Sequence, residues 1–410
     1  MGVGIEAMNI YVGRSLLDVR QLFQVRGLDM KRFSNLMMVQ KSVNLPWEDT
    51  VTNAVNAGKP LLDRLSEDEK NRIELVIVGT ESGLDFGKSI STYIHDYLGL
   101  SRRCRSFEVK HACYGGTAAL QMAAAFVSSS PIPGLKALVI AADATSGPAR
   151  MTYWEPSQGA GGVAMLVSAQ PDILELDAGA NGYYSYEVMD TLRPRPDLES
   201  GDSDLSLLSY MHCLERTYEL YRERVTSADI EKTFDYLAFH TPFAGMVKGA
   251  HRMLLRKMKS ASPKDIESDF EARVAPSLAY AVRVGNTCSA SLYVALCSLI
   301  DNGSFEIPKR IGLFSYGSGC ASEFYSGVIS REAQRKVKQY RLAEALEERR
   351  VLSMEEYESI SDSSAGRMCG VRDNKFNVSS YDGIYHECFA GRGLLVLDEI
   401  RNFHRKYTWS

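Results

Sequence analysis

The chain has no cysteine pair spaced C-x-x-C and no Cys/His spacing of the metal-binding kind, although it holds eight cysteines, at 104, 113, 213, 288, 297, 320, 369 and 388. At 410 residues it is far too large to need disulfide staples. The eight read as free thiols in a reducing cytoplasm, with no metal expected. No apolar window reaches transmembrane length. The first residues, Met1 to Gly13, alternate and carry Glu6, unlike a secretory leader with its basic start and continuous apolar core. An excess of one charge is also missing. Lys+Arg 47 against Asp+Glu 51 leave a net charge of -4, which provides no field to draw the chain to nucleic acid or an anionic membrane. What is present, 45% hydrophobic residues and 24% charged, is the composition of a soluble globular protein with little disorder.

Residues 3–12 read as a strand, and 16–25 and 47–65 as amphipathic helices, the second with Ala54, Ala57, Leu61 and Leu65 at helical spacing. Residues 74–79, ELVIVG, form a continuous apolar run of strand length, the pattern of a strand covered on both faces. It ends at Thr80-Glu81-Ser82-Gly83. A helix over 85–98, a strand over 107–109, a helix over 115–127 and strands over 136–142 and 161–168 follow. This alternation predicts an α/β fold with a mainly parallel sheet.

The second half repeats the order. Residues 235–239 end at His240-Thr241-Pro242-Phe243 as 74–79 end before Glu81, and 288–300 follow Gly285-Asn286 as 115–127 follow Cys113. Residues 310–316 match 136–142, and 321–329 match 161–168. Two copies, residues 1–170 and 171–410, would face each other across a pseudo-two-fold axis. Glu81, Cys113, His240 and Asn286 would then surround one cavity beyond the carboxyl ends of the strands. Residues 177–210, rich in Gly, Asp, Pro and Ser and containing Arg193-Pro194-Arg195-Pro196, read as an ordered loop at its mouth. Residues 341–361 read as a surface helical hairpin, and 401–410 as a terminal surface segment.

Cys113 ends an apolar run and opens a helical pattern, where a helix N-terminus can stabilise a thiolate nucleophile; a packed cysteine at a tight junction fits the same segment. Glu81 is the candidate base, because partial desolvation raises a carboxylate's pKa towards neutrality; a loop glutamate capping a helix is the alternative. His240 suits an Nε2 donor, or else a satisfied structural histidine. His111 should point to the other strand face and is given no role. Lys248, Arg252, Arg256 and Lys259 recur at helical spacing and, with Lys31 and Arg32, make either a phosphate- and carrier-binding face or a solvated one. Apart from Cys113 and the unexplained Cys288, the cysteines are expected in the core.

The set Gly79-Thr80-Glu81-Ser82, Ala112-Cys113-Tyr114-Gly115-Gly116, Phe239-His240-Thr241-Pro242-Phe243, Gly285-Asn286 and Ser315-Tyr316-Gly317-Ser318-Gly319 resembles the 3-hydroxy-3-methylglutaryl synthase family of the thiolase superfamily. Residues 85–95, 179–184, 187–191 and 246–252 are similar to its polyketide-associated branch. The resemblance implies a thiolase-like fold of two pseudo-repeated halves in αβαβα layers and, as is usual in the superfamily, a homodimer. It implies acetyl loading on Cys113, enolisation by Glu81, and attack on a β-ketone held by His240 with help from Asn286, which would hold either the ring or the substrate. The Cys113 and Ser318 amides would form the oxyanion hole. Donor acetyl-acyl carrier protein and acceptor β-ketoacyl-acyl carrier protein would bring their own phosphopantetheine, so no resident cofactor is expected. Cys288 departs from the tyrosine that many relatives carry after the Gly-Asn pair. Three other readings stay open: a coenzyme A-using synthase of isoprenoid metabolism, a decarboxylating ketoacyl synthase, which would not need Glu81, and a non-catalytic carrier-binding scaffold.

Overall fold

The computed structural model describes residues 2–144, 149–376 and 378–410. The elements that build the site are, in chain order, β1 (Gly4–Tyr11), α1 (Met30–Leu36), α2 (Thr50–Leu62), β2 (Ile73–Gly79), β3 (Arg105–Val109), α3 (Gly115–Ser129), β4 (Lys136–Asp143), β5 (Gly161–Ser168), β6 (Leu174–Ser185), β7 (Thr191–Arg195), β8 (Leu198–Gly201), α4 (Ser203–Arg224), β9 (Tyr236–Phe239), α5 (Ala244–Lys259), α6 (Ser291–Asn302), β10 (Lys309–Gly317) and β11 (Ala321–Ile329).

Nine strands form one sheet in the order β9-β10-β11-β6-β1-β5-β4-β2-β3. Read outward from its middle, β1-β5-β4-β2 and β6-β11-β10-β9 have the same pairing senses: antiparallel, antiparallel, parallel. The repeated element order thus appears as a repeated topology, with β1 and β6 antiparallel where the halves meet. The expectation of a mainly parallel sheet is overturned. Only β2/β3, β2/β4 and β9/β10 run parallel. Strands buried on both faces look alike in sequence whichever way their neighbours run, so apolar runs cannot report direction.

The layering follows from side-chain alternation. In β4, wholly buried, Ala137, Val139 and Ala141 enter a core shared with Ala119, Leu120 and Ala123 of α3 and Leu292, Leu296 and Leu299 of α6. Leu138, Ile140 and Ala142 pack on the other face against Val51, Ala54 and Val55 of α2. In β10, Ile311 and Leu313 join the first core, while Phe314 and Tyr316 meet α4 and α5 residues Tyr210, Leu214 and Val247. Helices α3 and α6 are therefore the central layer, between two half-sheets that α2 and α4/α5 cover outside. Residues 291–300 of α6 are buried all round, as a central helix must be.

Four readings of local structure need correction. Residues 177–210 are not a loop but the end of β6, the β7/β8 hairpin and the start of α4; Pro194 is tolerated because this two-stranded ribbon asks little of its N–H side. The helix over 85–98 shortens to Ser91–Tyr97. The helix over 16–25 begins only at Val19, after a strand at Ser15–Asp18. The terminal segment is a strand, His404–Trp409, whose Arg405 is buried and paired to Asp49 at 3.0 Å. The charged segment 341–361 does contain two helices, Leu342–Glu347 and Met354–Asp362.

Candidate functional site

Strands β2 and β4 end side by side, and α3 begins beneath them. Glycine makes the approach possible: a Cβ on Gly116 would lie 2.3 Å from the Ser289 carbonyl oxygen, and one on Gly317 2.5 Å from the Tyr114 nitrogen. The first contact brings the start of α6 against α3. The second lays the Ser315 to Gly319 turn on the Cys113 loop, with half-buried Ser318 beside it. Ala112 holds a left-handed φ of 41°, a conformation that costs free energy in a residue with a side chain, immediately before the cysteine.

Cys113 Sγ donates to Glu81 Oε2 at 3.4 Å. Sulfur of Cys288, a Glu81 oxygen and Cys113 sulfur all lie within 4.8 Å of one another. No linear spacing announces that trio, which has the donor atoms to hold a thiophilic cation. Cys288 is buried, with φ 51°, because Asn286 Oδ1 accepts from its N–H at 2.9 Å. That bond uses one lone pair of the Asn286 carbonyl in shaping the Cys288 turn.

Asp143, absent from the sequence-based set, ties the two halves together. Its Oδ1 accepts from Thr80 Oγ1 at 2.8 Å, Glu81 N at 2.9 Å, Ser82 N at 3.0 Å and Ser82 Oγ at 2.6 Å. Its Oδ2 accepts from Ser289 N at 2.9 Å and Ser289 Oγ at 2.5 Å. A wholly buried carboxylate needs this many donors to offset its lost hydration.

Arg193 is the second omission. From β7 its Nη2 reaches Glu81 Oε1 at 3.3 Å and Glu199 Oε2 at 3.0 Å. The stretch containing it looks like a proline-broken loop in sequence, which hid it; the one available signal was an arginine inside an apolar-poor segment placed at the mouth.

Desolvation raises the Glu81 carboxyl to about 7, with Arg193 opposing and Asp143 and Glu199 adding to the rise. Since the guanidinium favours the ionised form, Arg193→Met should move the Glu81 titration above about 7; carbon-13 NMR of glutamate-labelled protein reads it, and an unmoved titration would show that Arg193 does not set this charge. The Cys113 thiol is lowered by its contact with Cys288 but raised more by desolvation and the Glu81 and Asp143 charges, to about 12. It is a protonated thiol at rest, not the free thiolate that a helix N-terminus alone would favour.

His240 lies at the end of β9, its N–H on Phe314 O at 2.7 Å and its carbonyl accepting from Tyr210 at 2.7 Å. Burial lowers the imidazole to about 3, leaving a neutral ring able to donate one hydrogen bond; its Nδ1 has no partner among the described residues. The next residue, Thr241, exchanges hydrogen bonds with Ser291 at 3.3 and 2.9 Å, which sets His240 beside the α6 start that also carries Cys288. The His111 ring packs edge-on against Tyr114 and lies near the Gly319 turn.

Helices α1 and α5 touch, a Cβ at Gly245 falling 1.8 Å from the Asn35 carbonyl oxygen. Lys31 is exposed, whereas Arg32 packs over Tyr153 at 3.7 Å. Lys248 is paired to Glu267 at 2.5 Å and Lys259 to Asp229; Arg252 and Arg256 are exposed. Cys104 and Cys369 are partly exposed, not core as expected. Among the described residues no helix is long and apolar enough to cross a membrane.

Compared with known proteins, residues 1–172 match the hydroxymethylglutaryl-coenzyme A synthase N-terminal family model, and residues 174–271 and 256–373 the C-terminal one. The chain is 53% identical to the polyketide biosynthesis 3-hydroxy-3-methylglutaryl-ACP synthase PksG of Bacillus subtilis, over 100% of this chain and 99% of PksG. It is 35% identical to hydroxymethylglutaryl-CoA synthase of Enterococcus faecalis, over 88% and 91% of the two chains. The curacin biosynthetic pathway HMG synthase in complex with acetyl donor-ACP superposes with a TM-score of 0.98 at 53% identity, over 100% of both chains.

Proposed function

The chain belongs to the hydroxymethylglutaryl-coenzyme A synthase family, and from that premise we propose that it is a carrier-protein-dependent acyltransferase with Cys113, Glu81 and His240 as its catalytic groups. It joins an acetyl group from acetyl-acyl carrier protein to the β-ketone of a β-ketoacyl-acyl carrier protein. The single observation that carries the chemistry is the Cys113 thiol donating to a carboxylate whose pKa stands near 7. The halves 1–170 and 171–410 divide the work, the first supplying Glu81 and Cys113, the second His240, Asn286 and Ser318.

In the first step Cys113 sulfur attacks the acetyl thioester as its proton passes to Glu81, and the departing pantetheine sulfur takes that proton from Glu81, giving acetyl-Cys113, a free carrier thiol and an ionised Glu81. A thioester α-proton is acidic enough for Glu81 to remove once the carbonyl oxygen is held by the Cys113 and Ser318 amides. The enolate carbon attacks the β-ketone of the second substrate, polarised by the neutral His240 ring, and Glu81 returns its proton to the new alkoxide. Water then hydrolyses the Cys113 thioester, releasing a 3-hydroxy-3-methylglutaryl-type product on the acceptor carrier and restoring the thiol. The thioester supplies the activation, so these steps call for no resident cofactor.

The 53% identity to an ACP synthase against 35% to a CoA synthase supports carrier substrates, and the exposed Lys31, Arg252 and Arg256 offer charge to an acidic carrier and its phosphate. Strand β3, at the open edge of the nine-stranded sheet, offers the pairing surface for a homodimer. A reducing cytoplasm suits eight free cysteines. The test supplies purified protein with acetyl- and acetoacetyl-carrier or with the two coenzyme A thioesters and weighs the products. Turnover on carriers should be faster by at least ~10-fold, about 1.4 kcal/mol; comparable rates would overturn the carrier assignment.

A further inference from the structure

The groups assigned to chemistry leave unused a cavity of about 320 Å³ on the far side of Glu81. Its floor is the Glu81 carboxylate and the turn after β2; its walls are the β7 proline-arginine stretch and the segment 364–369. Neither Cys113 nor His240 lines it, and neither do Lys31, Arg252 or Arg256 of α1 and α5. Among the described residues it is joined to the reaction centre through Glu81, whose Oε2 is 3.4 Å from the Cys113 sulfur, and Arg193, which pairs with Glu81.

We infer that this cavity is the binding site for the part of a β-ketoacyl acceptor that lies beyond its β-carbon. The inference rests on the condensation proposed above, and the reason is the geometry of the carbon attacked. A β-ketone carbon carries its oxygen, the methylene arm leading back to the carrier thioester, and one further substituent. The first goes to the His240 donor and the second back towards the α1/α5 side. The carbon itself must sit between the acetyl on Cys113 and Glu81, which later protonates the alkoxide. The third substituent is left facing the Glu81 wall, where the cavity begins.

Its size and lining agree. For an acetoacetyl acceptor that substituent is a single methyl, which needs no such room. At about 30 Å³ per water-sized group the cavity holds roughly ten non-hydrogen atoms, at the lower end of the range of small-molecule sites. Leu84, Pro194, Pro196 and Met368 give it apolar surface, and Lys110 and three arginines, 193, 195 and 367, add donors. That mixture suits an extended acyl chain bearing an occasional hydroxyl or carbonyl; the four carboxyl side chains that line it balance its four cations, so no excess of positive charge favours a phosphate.

Met368→Trp narrows the cavity without touching Glu81, Cys113 or His240. With 3-oxodecanoyl-carrier as acceptor, kcat/KM should fall by ~10- to 200-fold, the range for steric discrimination by a methylene or two in an apolar pocket. Acetyl loading and turnover of acetoacetyl-carrier should stay within about twofold of the unaltered chain, well inside that range. Equal slowing of both acceptors, or of neither, would overturn the assignment. Independently of turnover, a 3-oxoacyl-carrier ending in a diazirine should photolabel residues 84–86, 194–196 or 364–369; labels confined to α5 and α1 would overturn it. Failure of the unaltered chain to condense acetoacetyl-carrier would strike the reaction proposed above, whereas the photolabelling reads the cavity in any folded protein.

Discussion

With Cys113 replaced by serine, mixing the protein with acetyl-carrier should leave its mass unchanged, whereas the native chain should gain one acetyl group. Condensation falls by on the order of 10⁴ to 10⁶, the scale of nucleophile removal in covalent catalysis. The physical reason lies in the proton. Even the Cys113 thiol, held up to about 12 by desolvation and by the Glu81 and Asp143 charges despite its contact with Cys288, is only within reach of a carboxylate titrating near 7. A serine hydroxyl in the same field is far less acidic and stays protonated. Acetylation of the Cys113→Ser variant, whether on the new hydroxyl or on Cys288, would remove Cys113 from its role. Loading on Cys288 has a specific basis, because the two sulfurs share one 4.8 Å cluster.

Glu81→Gln separates the two half-reactions. Acetyl-Cys113 should still accumulate, more slowly, because the pantetheine sulfur is a good leaving group and the thiol proton can leave through water. Enolisation has no such escape, and condensation should drop by ~10² to 10⁴, the usual contribution of a positioned general base. In the native chain the sign of the pH dependence follows from the same group. A base acts when ionised, so condensation rises as pH rises through about 7, the raised Glu81 value, while loading varies less steeply over that interval. Single-turnover mass spectrometry across that interval reads both steps on one sample. A glutamine variant that condenses normally, or a native profile flat through pH 7, would assign the base elsewhere.

The proposed reactive groups were legible because each follows a strand-like run, with a glycine turn beyond Glu81 and Cys113 and Pro242 beyond His240. Glu81 follows ELVIVGT, Cys113 precedes Gly115-Gly116, and His240 follows DYLAF; strand end and glycine turn are both local signals. Arg193 was hidden for the opposite reason. Its segment has two prolines and little apolar periodicity, and only the pairing of Thr191–Arg195 with Leu198–Gly201 turns it into a ribbon that delivers a guanidinium to Glu81. Asp143 was hidden because a carboxylate at the end of an apolar run gives no hint of its six donors, of which Ser289 lies 146 residues away. Asn286 illustrates a different gap: that its carbonyl accepts from the Cys288 N–H is a turn contact that no spacing announced.

The amino-acid sequence by itself determined the repeated order of elements and singled out Cys113, Glu81 and His240 as the proposed reactive groups. All of these rest on interactions within a dozen residues, where apolar period and glycine conformational freedom act directly. Only the tertiary structure decided strand direction, the protonation of Cys113, the closeness of Cys288, the burial of Arg405 against Asp49 and the cavity behind Glu81. Each of those depends on which distant surfaces exclude water from a shared space, and desolvation and Coulomb energy depend on that space, not on position along the chain.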